Sequence, residues 1–99
     1  MKLRISPRAD ADIEAIWNYI AKDNPRAADH VEDDIHSAMG MLAEFPGLGH
    51  TRPDMRRPGF RFWRVHSYLI VYRVDEDTLL VARVIHGSRK IRRQLRGES

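Results

Sequence analysis

The triplet Asp23-Asn24-Pro25 separates two stretches of helical apolar spacing, and no other feature constrains the fold as much. Proline cannot continue a helix, because it lacks an N–H and its ring collides with the preceding turn. Asparagine is a good N-cap and proline suits the first helical position, so the residues that end one helix also start the next. Before the break, Ala9, Ile13, Ile16, Trp17 and Ile20 follow at spacings of four, three, one and three, which is one face of a helix. After it, Val31, Ile35, Ala38, Met39 and Leu42 make a second apolar face, with Lys22, Asp29, Glu32 and Asp33 outside. So short a connection makes the two helices an antiparallel hairpin. Ser6-Pro7 repeats the cap-and-proline signal at the start of the first helix. Asp10, Asp12 and Glu14 lie near its positive end, where the helix dipole favours them. Phe45-Pro46 stops the second helix.

The flanking segments alternate in the manner of strands. Lys2 to Ser6 places Leu3 and Ile5 on one side and predicts a short strand ahead of the hairpin. Pro46, Gly47, Gly49, Pro53, Pro58 and Gly59 crowd the stretch after it, which predicts a loop. Three strands follow, at residues 60–65, 68–74 and 79–86, with turns at His66-Ser67 and Asp75-Glu76-Asp77. The last two are rich in Val, Ile, Leu and Tyr, as central strands are. Gly87 ends the third. Residues 88–96 form a basic tail with helical potential, Ile91 and Leu95 on one side. The order β-α-α-β-β-β predicts an α+β fold, a helical hairpin packed on one face of a small, mainly antiparallel sheet, with the other face left open.

Composition narrows the function classes. The 99 residues allow one domain, 1–99, with 88–99 as its tail. No cysteine is present, so disulfides and thiolate chemistry are excluded. The N-terminus lacks the apolar run of a secretory signal, and no stretch approaches the roughly 18 apolar residues of a membrane span, so a cytoplasmic location and no membrane partner are expected. Residues 1–50 hold five Lys/Arg against nine Asp/Glu, a net of −4, and residues 51–99 hold twelve against five, a net of +7. That asymmetry points the second half toward a polyanion or an acidic partner, or toward arginines solvating an exposed sheet face. No metal or other cofactor is expected: His30 and His36 are six apart, on different helix faces, and no acidic residue stands at ligand spacing from the other histidines.

Five segments, in order, carry a family resemblance. They are Ala11-Asp12-Ile13-Glu14-Ala15-Ile16-Trp17, Asn24-Pro25-Arg26-Ala27-Ala28, Phe45-Pro46-Gly47-Leu48-Gly49, Tyr68-Leu69-Ile70-Val71-Tyr72-Arg73-Val74 and Val84-Ile85-His86-Gly87-Ser88-Arg89. Each alone is weak; together they cover almost the whole chain, which resembles the ParE/RelE superfamily of type II toxins, the ParE branch above all. The resemblance implies a stable toxin held inactive by a labile, ParD-like antitoxin in a hetero-oligomer, with operator DNA bound only through the antitoxin. ParE-like members poison DNA gyrase, whereas RelE-like members cleave mRNA in the ribosome.

Chemistry separates the two branches. Cleavage beside a 2′-hydroxyl needs basic groups gathered around one phosphate, to neutralise the transition state and move protons. Aligned on the Tyr68–Tyr72 strand, the lysines that RelE-like nucleases use fall on Phe60 and Phe62, their strand arginine on Leu69 and their tail tyrosine on Leu95; Arg89 alone matches. The resemblance thus implies a binding toxin with no catalytic residues. The alternative is an endoribonuclease with a replacement set of Arg64, Arg83, His86 and Arg89, with Arg61 and His66 as further members of the acid–base set; the plainer reading of His86 is a hydrogen-bonded strand-end histidine. For a binding toxin, Arg89, Lys90, Arg92, Arg93 and Arg96 are the residues expected to grip the target, and Arg61, Trp63, Arg64, Tyr68 and Arg83 those expected to meet the antitoxin, because aromatics and arginine dominate interfaces. The tail is expected to matter more for toxicity than for folding, since the core looks complete by Ile85. Trp17, on an apolar helix face, reads as core. Trp63 and Phe62 alternate, so one of them faces the open side.

Overall fold

The structure, a computed structural model, describes residues 1–53, 58–88 and 91–96, and of Arg92 the backbone alone. The order is β1 (Lys2–Ile5), α1 (Pro7–Ala21), α2 (Pro25–Glu44), a 3-10 turn (Pro46–Leu48), β2 (Phe60–Val65), β3 (Tyr68–Asp75), β4 (Thr78–His86) and a short α3 (Ile91–Gln94). Both helices start as the sequence requires. Ser6 Oγ accepts the Ala9 N–H at 3.0 Å, and the Asn24 side chain accepts the Ala27 N–H at 3.1 Å. The four strands form one sheet in the order β1-β4-β3-β2, with β1 parallel to β4 and the other pairs antiparallel. The α1–α2 hairpin carries the chain from β1 at one edge of the sheet to β2 at the other, and it covers one face of the sheet.

On that face Ile13, Ile35, Met39 and Leu42 meet Ile70, Tyr72, Leu79, Val81 and Val84 in one buried cluster. Trp17 stands at the seam of the hairpin, half-buried, where its Nε1–H donates to Asp29 Oδ1 at 2.8 Å. Tyr72 ties the loop after α2 to the sheet: its hydroxyl donates to Pro46 O at 2.6 Å and accepts the Gly49 N–H at 2.8 Å. Gly49 has to be glycine for space, because a Cβ there would collide with the Tyr72 ring and hydroxyl. Burial raises the Tyr72 pKa, against smaller opposing effects from the Gly49 N–H and the Arg61 charge.

The second face is not open. Phe60, Phe62, Leu69, Val71, Ala82 and Ile85 form a second buried cluster with Leu95, which is only 1% exposed, and Ile91 packs against it. The C-terminal segment folds back over the sheet, so five successive residues of β3, Tyr68 to Tyr72, are buried whichever way they point. The tail therefore belongs to the core, which is not complete at Ile85. Of the alternating pair, Phe62 looks into this second cluster and Trp63 packs toward the helix side.

Candidate functional site

β1 follows β4 only as far as Val81, where the chain turns away into α1. Beyond that point an edge of unpaired backbone groups would invite pairing with another chain. Side chains close it instead. Ser6 Oγ donates to Ala82 O at 2.8 Å. Asp12 Oδ2 accepts the Val84 N–H at 2.9 Å. The Gln94 amide then acts like a strand residue, accepting the His86 N–H at 2.8 Å and donating to His86 O at 2.9 Å. Helix α1 and the tail are thus sewn to the same strand edge.

Arg83 sits at the centre of this seam. The β3–β4 register shifts at Val71/Tyr72, so that Val71 faces Arg83 while Tyr72 faces Val81, and Ala82 is the extra residue. A bulge re-aims the side chains beside it. Here it turns Arg83 along the edge, where Nε and one terminal nitrogen donate to the two Asp12 oxygens at 2.8 and 3.1 Å and the other terminal nitrogen donates to Gln94 O. Arg83 is 8% exposed. A guanidinium so enclosed and so fully bonded is not free to meet a phosphate or an antitoxin, which removes Arg83 from both residue sets expected from sequence. Its partner Asp12, by contrast, carried no signal beyond its place in the first helical turns.

His86 closes β4. Its Nδ1 lies 3.2 Å from the Ser88 N–H and 2.9 Å from the Ser88 hydroxyl, and its ring stands edge-on to Tyr68 at 5.4 Å. A lone pair on Nδ1 is needed to accept the amide proton, so a neutral ring carries its own proton on Nε2. Next to it, Asp12, Ala15, Ile16, Tyr19, Tyr68, Val84 and His86 line a shallow groove of about 280 Å³, with Tyr19 the most exposed of its aromatics.

The remaining candidates are divided between the two faces. Arg61 Nη1 donates to Gly49 O at 2.8 Å and holds the loop after α2. Trp63 stacks on His50 with ring centres 6.3 Å apart. Both point to the helix side, as does Tyr68. Arg64 is exposed on the other side, over Gly87 and 3.4 Å from His66 O, at the same end of the sheet as His86. His66 itself turns away to α2, where its Nε2 lies 2.7 Å from Asp34 Oδ2. Arg93 and Arg96 are exposed. Arg89, Lys90 and the Arg92 side chain lie outside the described residues, and Leu95 between these cations is the anchor that seats the segment.

With this architecture in view, known proteins resemble the chain over nearly all its length. The family model described as "ParE toxin of type II toxin-antitoxin system, parDE" matches residues 3–91. Toxin ParE1 of Caulobacter vibrioides is 33% identical over 94 residues, covering 93% of this chain and 95% of that toxin. Toxin RelE3 of the same organism is 30% identical over 85 residues, covering 86% and 92%. Among solved structures, the chromosomal ParDE toxin–antitoxin system of P. aeruginosa superposes with a TM-score of 0.74 at 25% identity, covering 87% of this chain and 95% of that one. The RelBE2 complex of Mycobacterium tuberculosis gives 0.57 at 27%, covering 86% and 95%. The fold is that of the ParE/RelE toxins. Within that class, the chain belongs to the ParE toxin family of type II toxin–antitoxin systems.

Proposed function

We propose that the chain is a toxin that acts by binding, with DNA gyrase as its target, and that a ParD-like antitoxin neutralises it by direct contact. One observation carries the choice of a binding toxin over a nuclease. Phe60, Phe62, Leu69 and Leu95, the four positions on which the resemblance lays a nuclease's cationic and proton-transfer groups, pack together in a single buried apolar cluster. A phosphate could enter there only by displacing core side chains, and it would find no donor among them. Loss of several such groups costs orders of magnitude in rate. Arg83 cannot stand in, being locked to Asp12, and His86 stands at the strand end beside Tyr68 and Ser88 rather than in that cluster.

Target contact then falls to the exposed cations of the tail, Arg93 and Arg96, with Arg89, Lys90 and Arg92. The antitoxin contact falls to Arg61, Trp63, Arg64 and Tyr68, the last reached through the groove beside Tyr19. In support of an antitoxin partner, the solved relatives are a ParDE system and a RelBE2 toxin–antitoxin complex. Two assays on one preparation test the mechanism. The purified toxin is expected to inhibit supercoiling or trap cleaved DNA and to leave ribosome-bound mRNA whole. Codon-specific cuts with normal supercoiling would refute the binding mechanism and turn attention to His86→Ala. Coexpression with the small gene beside this one is expected to yield a stable complex.

A further inference from the structure

We propose that His30, Asp34 and His66 form a surface site for a divalent transition-metal ion, with zinc the natural probe, that ties the β2–β3 turn to helix α2. Nothing in the proposed toxin mechanism uses these three residues, and they come from distant parts of the chain. His30 and Asp34 are four apart on α2, so they stand one above the other on the same helix face. His66 reaches them from the tight turn between β2 and β3, where its backbone takes a positive φ of 53°. A non-glycine residue adopts that conformation at some cost, and here it directs the imidazole across to the helix.

The ligand atoms converge. His66 Nε2 lies 2.7 Å and His30 Nε2 3.4 Å from the same carboxylate oxygen, Asp34 Oδ2. The two rings stand edge-on at 6.1 Å, and one ligand atom from each of the three residues lies within 4.8 Å of the others. A tetrahedral zinc with bonds of about 2.0–2.1 Å needs neighbouring ligand atoms about 3.3 Å apart. The His30–Asp34 separation has that value already. Lengthening the His66–Asp34 contact takes only small rotations of side chains that are about 40% exposed or more. Two imidazoles and one carboxylate suit zinc, nickel or copper rather than calcium or magnesium, which prefer oxygen. The fourth position faces solvent and would hold water. Asp29, Glu32 and Asp33 on the same helix add negative charge that favours a cation.

The test is calorimetric titration of the full-length chain with zinc chloride, paired with thermal melts. Wild type is expected to bind one zinc per chain and to melt about 5 °C or more higher at saturation, since an ion that binds only the folded state stabilises it. His66→Asn, which still tolerates the left-handed backbone, and Asp34→Asn are expected to bind at least about tenfold more weakly. His36→Ala, on another face of α2, is expected to bind as wild type does. Should either of the first two variants fail to fold by circular dichroism, His30→Ala reads the same loss, because that side chain is 72% exposed. No binding up to about 1 mM zinc, or binding unchanged in His66→Asn and His30→Ala, would overturn the site.

Discussion

The two faces of the sheet are buried by different means. Helices α1 and α2, 15 and 20 residues long, cover one face with several large side chains, each helix started by its own side-chain cap. The other face is covered by a four-residue helix and one fully buried leucine. A long amphipathic helix spreads its stabilisation over many contacts, whereas a short segment concentrates it in a few residues. The tail therefore holds on through Leu95, Ile91 and the Gln94 bonds, while Arg93 and Arg96 are left to solvent. Such an attachment buries Leu95 while leaving the neighbouring Arg93 and Arg96 exposed. It also means that loosening the tail uncovers the apolar cluster of Phe60, Phe62, Leu69, Val71, Ala82 and Ile85.

The seam where both coverings meet, Asp12–Arg83–Gln94, is expected to be the most sensitive point. Asp12→Ala leaves a largely buried guanidinium without its carboxylate and frees the Val84 N–H; removing one partner of such a pair costs about 3–5 kcal/mol. Urea denaturation measures it. Adding Arg83→Met to that variant is expected to restore part of the loss, since an apolar pair avoids the uncompensated charge.

The contrast between faces is tested next by two core truncations. Ile35→Ala, under the helices, is expected to cost toward the upper part of the usual 2–5 kcal/mol range for such changes, and Leu95→Ala toward its lower part, because a tail can settle where a packed hairpin cannot. Expressed alone, Leu95→Ala is expected to lose toxicity, whereas coexpressed with the antitoxin it is expected still to form the complex. Equal costs at both sites would erase the distinction between a rigid face and an adjustable one.

A smaller effect is expected at the loop anchor on the helix side. Gly49→Ala forces Tyr72 off its position, at about 1–3 kcal/mol for overpacking. Tyr72→Phe leaves the Gly49 N–H and Pro46 O without their partner, at about 1–3 kcal/mol. The double variant is expected to lose less than the two separate losses added together, since both changes break the same Tyr72 hydroxyl bridge between Gly49 and Pro46.

The least of these effects depends on pH. The Tyr72 pKa is raised in the folded chain, so the unfolded chain gives up this proton first. The corresponding stability is intact below the ordinary tyrosine value of about 10 and is lost as pH rises from there through the folded pKa. Melting curves between pH 9 and 11 are expected to fall more steeply for wild type than for Tyr72→Phe, whose remaining tyrosines are Tyr19 and Tyr68.

Much of this molecule follows from local signals. Both N-caps, the proline break, the two helical faces, the strand boundaries to within a residue or two and the Phe45-Pro46 stop depend on neighbours a few positions away, and backbone sterics with 3.6- and 2-residue periods are enough to decide them. The resemblance carried by five short segments located the family. What only the tertiary structure decided is whatever depends on distant residues meeting. Ile91 and Leu95 are two apolar residues in a basic run, and nothing local says that they fold back onto Phe60 and Phe62 rather than remain in solvent. Arg83 reads as one more strand arginine until the bulge at Ala82 turns it toward Asp12, 71 residues earlier in the chain. His30 and Asp34 have the right spacing on their own helix, but His66 joins them only because the β2–β3 turn swings across α2. Secondary structure is a short-range property of the chain; a buried ion pair, a covered sheet face and a three-residue ligand set require loop closure over tens of residues, and their geometry exists only once the layers have packed.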